Sequence, residues 1–192
     1  MSTPRTPRSP RPTVLYFAFG SNLWKEQMAR RCPNSPFVGI GRLRGYEWFI
    51  NARRFANIAP IGALPSSRQG NPGNPDIQSA DYDSEVWGLV YELSPSDEAQ
   101  LDRNEGVPRA YQKQMVKVTF WPRAPSSGAS GTRGEKRKVD MLSYIDLQRN
   151  QGGYKPREEY VHRLNLGIRD ALAAGIPKRY VDVVMRRYIP PE

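Results

Sequence analysis

The sequence contains one cysteine, Cys32, and one histidine, His162. A single thiol excludes an internal disulfide framework and any cysteine-based zinc site. A single imidazole leaves no spare ring for a multi-histidine metal cluster, so metal hydrolysis and most histidine-dependent triads are poor readings. Long hydrophobic runs are also missing: no stretch approaches the ~20 apolar residues a bilayer-spanning helix needs. An integral membrane protein is therefore not expected. Strands and helices do not alternate, which argues against a doubly wound parallel sheet. Acidic residues are the scarcer charge, with 19 Asp and Glu against 29 Lys and Arg and a net charge of +10. Apolar residues make up 38% of the 192. That still suffices for a core, because a chain of this length removes roughly 70% of its unfolded surface on folding.

Where the positive charge sits matters more than its size. Residues 1–12 repeat Ser/Thr-Pro-Arg three times, with four prolines, no acid and no large apolar side chain beyond Met1. Such a segment cannot offset the entropy of ordering, so it reads as a disordered tail carrying +3. Its prolines deny it the amphipathic helix of a mitochondrial presequence. A polar insertion at 121–138 adds +4, which leaves +3 for the remainder. The expected folded body, 13–192 as one domain with long loops at 65–84 and 121–138, is only mildly basic. Nucleic-acid binding, which wants a basic face on a rigid surface, is not expected. The lone thiol and the lack of a readable signal give the expectation of a cytoplasmic location.

Along the body, Thr13 to Phe19 is a β-branched and aromatic run that predicts a buried strand ended by Gly20. A helix over Asn22 to Cys32 follows, with Ser21 or Asn22 as its cap and Pro33 as its stop. Phe37 to Leu43 and Tyr46 to Asn51 read as two strands joined by a tight hairpin at Arg44-Gly45. A further strand falls in Phe55 to Gly62. Glu85 to Leu93 is a strand, and Ser94-Pro95-Ser96-Asp97 then opens a capped helix that Gly106 ends. Tyr111 to Phe120 pairs with Val139 to Leu147 across the basic insertion. Arg157 to Ala174, with Gly175 as its stop, and Lys178 to Tyr188 are helical. Runs of strands broken by few helices predict an α+β fold with a mainly antiparallel sheet, closed into a barrel.

Three features carry chemistry. At Gly20-Ser21-Asn22 a buried strand turns on a glycine into a helix start, where backbone can approach a ligand and free amides favour an anion. At Leu101 to Val107, Glu105 closes a helix, where the dipole raises a carboxylate's pKa toward the range useful for proton exchange. A solvated acid paired with Arg103 or Arg109 is the plainer reading of that position. Finally, Tyr16, Tyr111, Tyr144 and Tyr160, of ten tyrosines, fall near these elements.

Together the three are more specific than any one of them. Tyr16-Phe17-Ala18-Phe19-Gly20-Ser21-Asn22-Leu23 resembles the (L)YFAYGSNL signature of the γ-glutamylcyclotransferase family. Glu85-Val86-Trp87-Gly88-Leu89-Val90-Tyr91, then Leu101-Asp102-x-x-Glu105-Gly106-Val107 and Tyr111, look like that family's EVWGVV and LDxxEGV blocks. The resemblance runs from Tyr16 to Pro177 and leaves out the tail and both polar loops. It implies a barrel of about six strands with flanking helices and no metal or organic cofactor. It also implies cleavage of a small γ-glutamyl amide through attack by the substrate's own α-amine, giving 5-oxoproline and a free amine. Glu105 would then be the general base and acid. Tyr16, Phe17, Ala18, Phe19, Gly20, Ser21 and Asn22 would line the γ-glutamyl pocket, with the Gly20-Ser21-Asn22 turn on the α-carboxylate. Tyr144 would bond the substrate and Tyr160 would assist.

Phe19 departs from the family, which commonly has a tyrosine before Gly-Ser-Asn. Glutathione-specific relatives tend to read YGSL-x-W, so Gly20-Ser21-Asn22 favours γ-glutamyl amino acids, while Trp24 keeps glutathione open. A γ-glutamylamine-directed enzyme of the same fold is a further alternative. From another class comes a non-catalytic barrel whose basic segments bind an acidic partner. No membrane partner is expected, and the expected assembly is a monomer or a homodimer.

Overall fold

The computed structural model describes residues 12–63, 82–123 and 134–192. The expected tail and most of the two expected loops lie outside these residues. Strand β1 (Val14–Ala18) leads through a 3-10 turn at Ser21–Leu23 into α1 (Lys25–Arg31). Strands β2 (Phe37–Arg44), β3 (Tyr46–Ile50) and β4 (Ala56–Pro60) follow, then β5 (Glu85–Leu93) and α2 (Pro95–Asn104). Strands β6 (Gln112–Pro122) and β7 (Arg137–Ile145) precede α3 (Glu158–Ala174) and α4 (Lys178–Val183).

Five strands close into a barrel in the order β1-β5-β2-β6-β7, while β3 and β4 form a separate two-stranded sheet. Four of the barrel pairings are antiparallel, and β7 closes on β1 in parallel at Tyr16 and Leu142. That parallel seam is a matter of parity. Around a ring with an odd number of strands, directions cannot alternate without one repeat. The barrel therefore has five strands rather than six, and the sheet is mixed at one seam.

The expected hairpin at Arg44-Gly45 does not form. Arg44 ends β2 paired with Glu85, and Gly45 (φ 80°) turns the chain out of the barrel, so β3 pairs with β4 instead. The Gly45 amide donates to the Ser84 carbonyl, which ties the corner to β5 rather than closing a two-residue turn. The capped start of α2 is as read: Ser94 Oγ accepts from the Asp97 amide with Pro95 in the first turn. Gly175, at φ 97°, ends α3. Three boundaries differ. Trp121 and Pro122 extend β6, and Arg137 and Lys138 extend β7, so the insertion is shorter than 121–138. Tyr82 to Ser84 form a turn rather than open loop. The last helix breaks at Val184 into a 3-10 turn at Met185–Arg187.

The barrel core is built on a size mismatch. Phe17 is fully buried, and its ring occupies the space that Gly41 and Gly88, register partners on β2 and β5, leave empty. A Cβ on Gly88 would stand 2.3 Å from the Ala18 carbonyl oxygen and 2.8 Å from the Phe17 ring. Outside the barrel, α3 lies on the Ser21–Leu23 turn, where Gly167 meets Leu23. Helix α1 has no side-chain cap of its own; the Lys25 amide donates to Asp170 of α3 at 2.8 Å. The predicted cap at Ser21 or Asn22 is absent because those residues form the 3-10 turn and α1 starts only at Lys25, which puts Trp24 at the cap position. Replacing Gly88 with alanine forces backbone or the Phe17 ring to move. Gly88→Ala is expected to lower unfolding stability by about 1–3 kcal/mol, read by urea denaturation. An unchanged midpoint would show that the barrel yields there.

Candidate active site

A cavity of about 210 Å³ opens where the end of β1, the end of α2 and the start of α3 meet. Tyr16, Phe19, Gly20, Ser21, Asn22, Glu105, Tyr144 and Tyr160 line it. Phe17 and Ala18 do not. Side chains alternate along a strand, and Phe17 points into the barrel core, while Ala18 is fully buried.

Glu105 follows the last turn of α2, and its amide donates to the Leu101 carbonyl. Gly106 (φ 64°) then turns the chain away, leaving the carboxyl facing the cavity with 16% of its side chain exposed. Its partners are neither Arg103 nor Arg109. Asn22 Nδ2 donates to Glu105 Oε1 at 3.0 Å, and Arg31 Nη1 stands 3.7 Å away. Burial pushes the Glu105 carboxyl above the ordinary carboxylate range, opposed by Arg31, the Asn22 hydrogen bond, Arg53 and Arg163. The direction matches the expectation from the helix end, but the cause is desolvation by burial.

Asn22 is bonded on both sides of its amide. Nδ2 donates to the Tyr16 hydroxyl at 2.8 Å as well as to Glu105. Oδ1 accepts from Gln27 Nε2 and Arg31 Nη1, each at 2.9 Å. This pattern fixes which way the amide faces. Tyr16 already accepts from Asn22, so its own proton is left for another acceptor. Burial and the field of Glu105 raise the Tyr16 pKa well above that of a free phenol.

The remaining tyrosines are held by second contacts. Tyr144 donates to Asp102 Oδ1 at 2.7 Å and meets the Tyr16 ring edge-on at 5.6 Å. Lys113 pairs with Asp102 at 2.7 Å and with Glu98 at 2.6 Å, which fixes the Asp102 carboxylate opposite the phenol. Tyr160 accepts from the Ala56 amide at 3.2 Å, and burial pushes its phenol up to about 12. Its hydroxyl lies 3.1 Å from where a Gly20 side chain would begin, so a residue larger than glycine would crowd it. Phe19 lines the wall without a hydroxyl, and its carbonyl accepts from Trp48 Nε1.

Sequence reasoning did not single out the arginines. Arg31, Arg53 and Arg163 all line the cavity, against Glu105 as the one lining acid among the described residues. Arg163 could have been found, since it sits three residues after Tyr160 on one helical face. Tyr111 also lines the wall, and its hydroxyl donates to the Ala56 carbonyl at 3.2 Å. Among the described residues no group of three or more His, Cys, Asp or Glu is placed to hold a metal ion. No described helix is long and apolar enough to cross a membrane. The site can thus hold a small anionic ligand beside one carboxyl able to exchange a proton.

The AIG2-like family matches residues 85–184. The gamma-glutamylcyclotransferase of Homo sapiens is 33% identical over 170 residues, covering 88% of this chain and 75% of the human one. The Mus musculus gamma-glutamylcyclotransferase is 29% identical over 170 residues, with the same 88% and 75% coverage. A solved structure of a gamma-glutamyl cyclotransferase, 22% identical, superposes with a TM-score of 0.63, covering 94% of this chain and 89% of the other, and shares the fold. With these motifs in order on this barrel, the chain belongs to the AIG2-like, γ-glutamylcyclotransferase family of enzymes.

Proposed function

We propose that this protein converts γ-glutamyl amino acids to 5-oxoproline and a free amino acid, with Glu105 as the group that moves the proton. The observation that carries the reading is a lone carboxyl in the cavity, raised in pKa by burial and aimed by Asn22 at the glycine bend. The ionised carboxylate takes a proton from the substrate's α-ammonium. The freed amine attacks the γ-carbonyl carbon, closing a five-membered ring with an oxyanion on that carbon. As the oxyanion collapses, the bond to the departing nitrogen breaks and Glu105 returns the proton to it. The ring nitrogen sheds its second proton and the released amine takes one up as its ammonium, so two protons leave one nitrogen, two arrive on the other, and no outside acid or base is consumed.

Because nucleophile and electrophile belong to one molecule, ring closure needs no second reactant to be immobilised. The site has to fold the glutamyl chain and surround its charges. The positive lining suits a substrate with two carboxylates and one ammonium. Tyr16 and Tyr160, kept protonated by burial, are suited to donate to the oxyanion or the γ-carbonyl oxygen. Trp24, the residue shared with glutathione-directed relatives, does not line the cavity and instead lies beneath Arg30. That supports amino-acid leaving groups over glutathione. A cytoplasmic location and a homodimeric assembly fit this reading.

Purified protein is expected to release 5-oxoproline from γ-glutamyl-alanine, faster than from glutathione or γ-glutamyl-lysine, without added metal. Glu105→Gln should bind γ-glutamyl-alanine but lower turnover on the order of 1,000-fold. Near-normal turnover in that variant would remove Glu105 from the reaction. The acid limb of kcat/KM should lie above the ~4.3 of a free glutamate, since the native carboxyl resists ionisation. The same shift acts on stability. Between the unfolded value and the raised native one, the folded state holds the proton more tightly, so this group's contribution falls as pH rises through that window. Glu105→Gln should therefore melt higher than wild type at neutral pH, with the gap closing as pH drops below about 4. A gap that widens on acidification would reverse the assigned direction.

A further inference from the structure

Of the three cavity arginines, two are occupied. Arg31 donates to Asn22 and faces Glu105. Arg163 forks onto Glu159 at 2.9 and 3.1 Å and reaches Gln27 at 3.2 Å. Arg53 differs: its Nη1 is buried against the cavity wall and has no hydrogen-bond partner. A guanidinium nitrogen sealed from water without an acceptor is an unfavourable arrangement that a binding site can tolerate when a ligand supplies the acceptor.

The side chain is also held ready. It projects from the turn between β3 and β4, where the Arg53 amide donates to Asn51 Oδ1 at 3.0 Å. Asn51 is fully buried and bonded to Asp146 at 3.0 Å. The neighbouring Arg54 clamps the turn from outside by donating to the carbonyls of Lys155 and Pro156, each at 3.0 Å. The Arg53 guanidinium lies over the rings of Tyr111 at 5.3 Å and Phe55 at 5.6 Å, which restrict its swing. A planar cation fixed this way, with a free edge, matches a carboxylate.

We infer that Arg53 binds the carboxylate of the departing amino acid, and so sets the preference for γ-glutamyl amino acids over γ-glutamylamines. This rests on the cyclotransferase reading of the same cavity. The glutamyl α-carboxylate belongs at the glycine bend on that reading. From the bend, the path of contacts to Arg53 passes through Tyr160, beside Gly20, and then Phe55, whose ring meets Tyr160 at 4.9 Å. The guanidinium thus lies two aromatic rings from the bend, yet within the field of Glu105. Glu105 must touch the departing nitrogen, and in an amino acid the carboxylate is two bonds from that nitrogen.

The test compares γ-glutamyl-alanine with γ-glutamylethylamide, which is the same molecule without the leaving-group carboxylate. Assays run above the acid limb, where loss of a nearby cation does not change the ionisation of Glu105. Arg53→Met should raise KM for γ-glutamyl-alanine roughly 10- to 100-fold with little change in kcat. The ratio of kcat/KM between the two substrates should fall by the same factor, and Arg53→Lys should recover part of it. Equal losses on both substrates would assign Arg53 to the glutamyl half or to structure, and no loss would remove it from binding; either overturns the inference. Calorimetric binding of the same two compounds to Glu105→Gln, with and without Arg53→Met, separates the two readings. If selectivity for the carboxylate depends on Arg53 while the wild type releases no 5-oxoproline, the cyclotransferase reading fails and the Arg53 assignment stands. If neither compound binds, both fall.

Discussion

The side-chain amide of Asn22 has all four of its hydrogen-bonding positions filled, and the partners come from three structural elements. Tyr16 belongs to the barrel, Gln27 and Arg31 to α1, and Glu105 to the end of α2. A carboxyl in a small cavity gains little from water, so where it points is decided by its nearest donors. Here the donor is an amide that cannot rotate without breaking contacts on its other edge. The registers of three elements are thereby referred to one functional group. Its backbone is held as well, since the Tyr91 hydroxyl on β5 donates to the Asn22 carbonyl at 3.1 Å.

On the proposed mechanism Glu105 has to change its protonation state, and a neutral side chain beside it suits that role. A cation in direct contact would hold the carboxylate ionised, and a purely apolar wall would hold it protonated. Asn22 donates one hydrogen bond, and the arginine charges act from farther away, with the nearest at 3.7 Å. Burial still outweighs them in direction.

Much of the scaffold was legible in the sequence, and the exceptions have a common cause. Strand β5, the capped α2 and the glycine-stopped α3 are written in local chemistry: a β-branched run, Ser-Pro-Ser-Asp, and a helical face ending in Gly175. Strand partners are not local. Arg44-Gly45 between two apolar runs looks like a hairpin turn, and only the closed barrel sends β3 to β4. Ring parity, which makes β1 and β7 parallel, is equally invisible along the chain. The cavity lining was reached through motif resemblance rather than periodicity; alternation along β1 takes Phe17 out of it, and Ala18 is left out by its burial. Arg53 was hidden for a different reason. In Asn51-Ala52-Arg53-Arg54-Phe55 nothing local distinguishes the two adjacent arginines, and the fold decides which of them turns inward.

Helix α3 carries Tyr160 and Arg163 to the cavity, and the closeness of its approach is set where Gly167 rests on Leu23, with 2.9 Å between the position of an added Cβ and that side chain. The contact acts as a fulcrum. A bulkier residue there would lever the front of the helix outward and widen the gap between Tyr160 and the glycine bend. Cavity width is thus adjustable from a site remote from the reacting atoms, without altering any side chain that lines it.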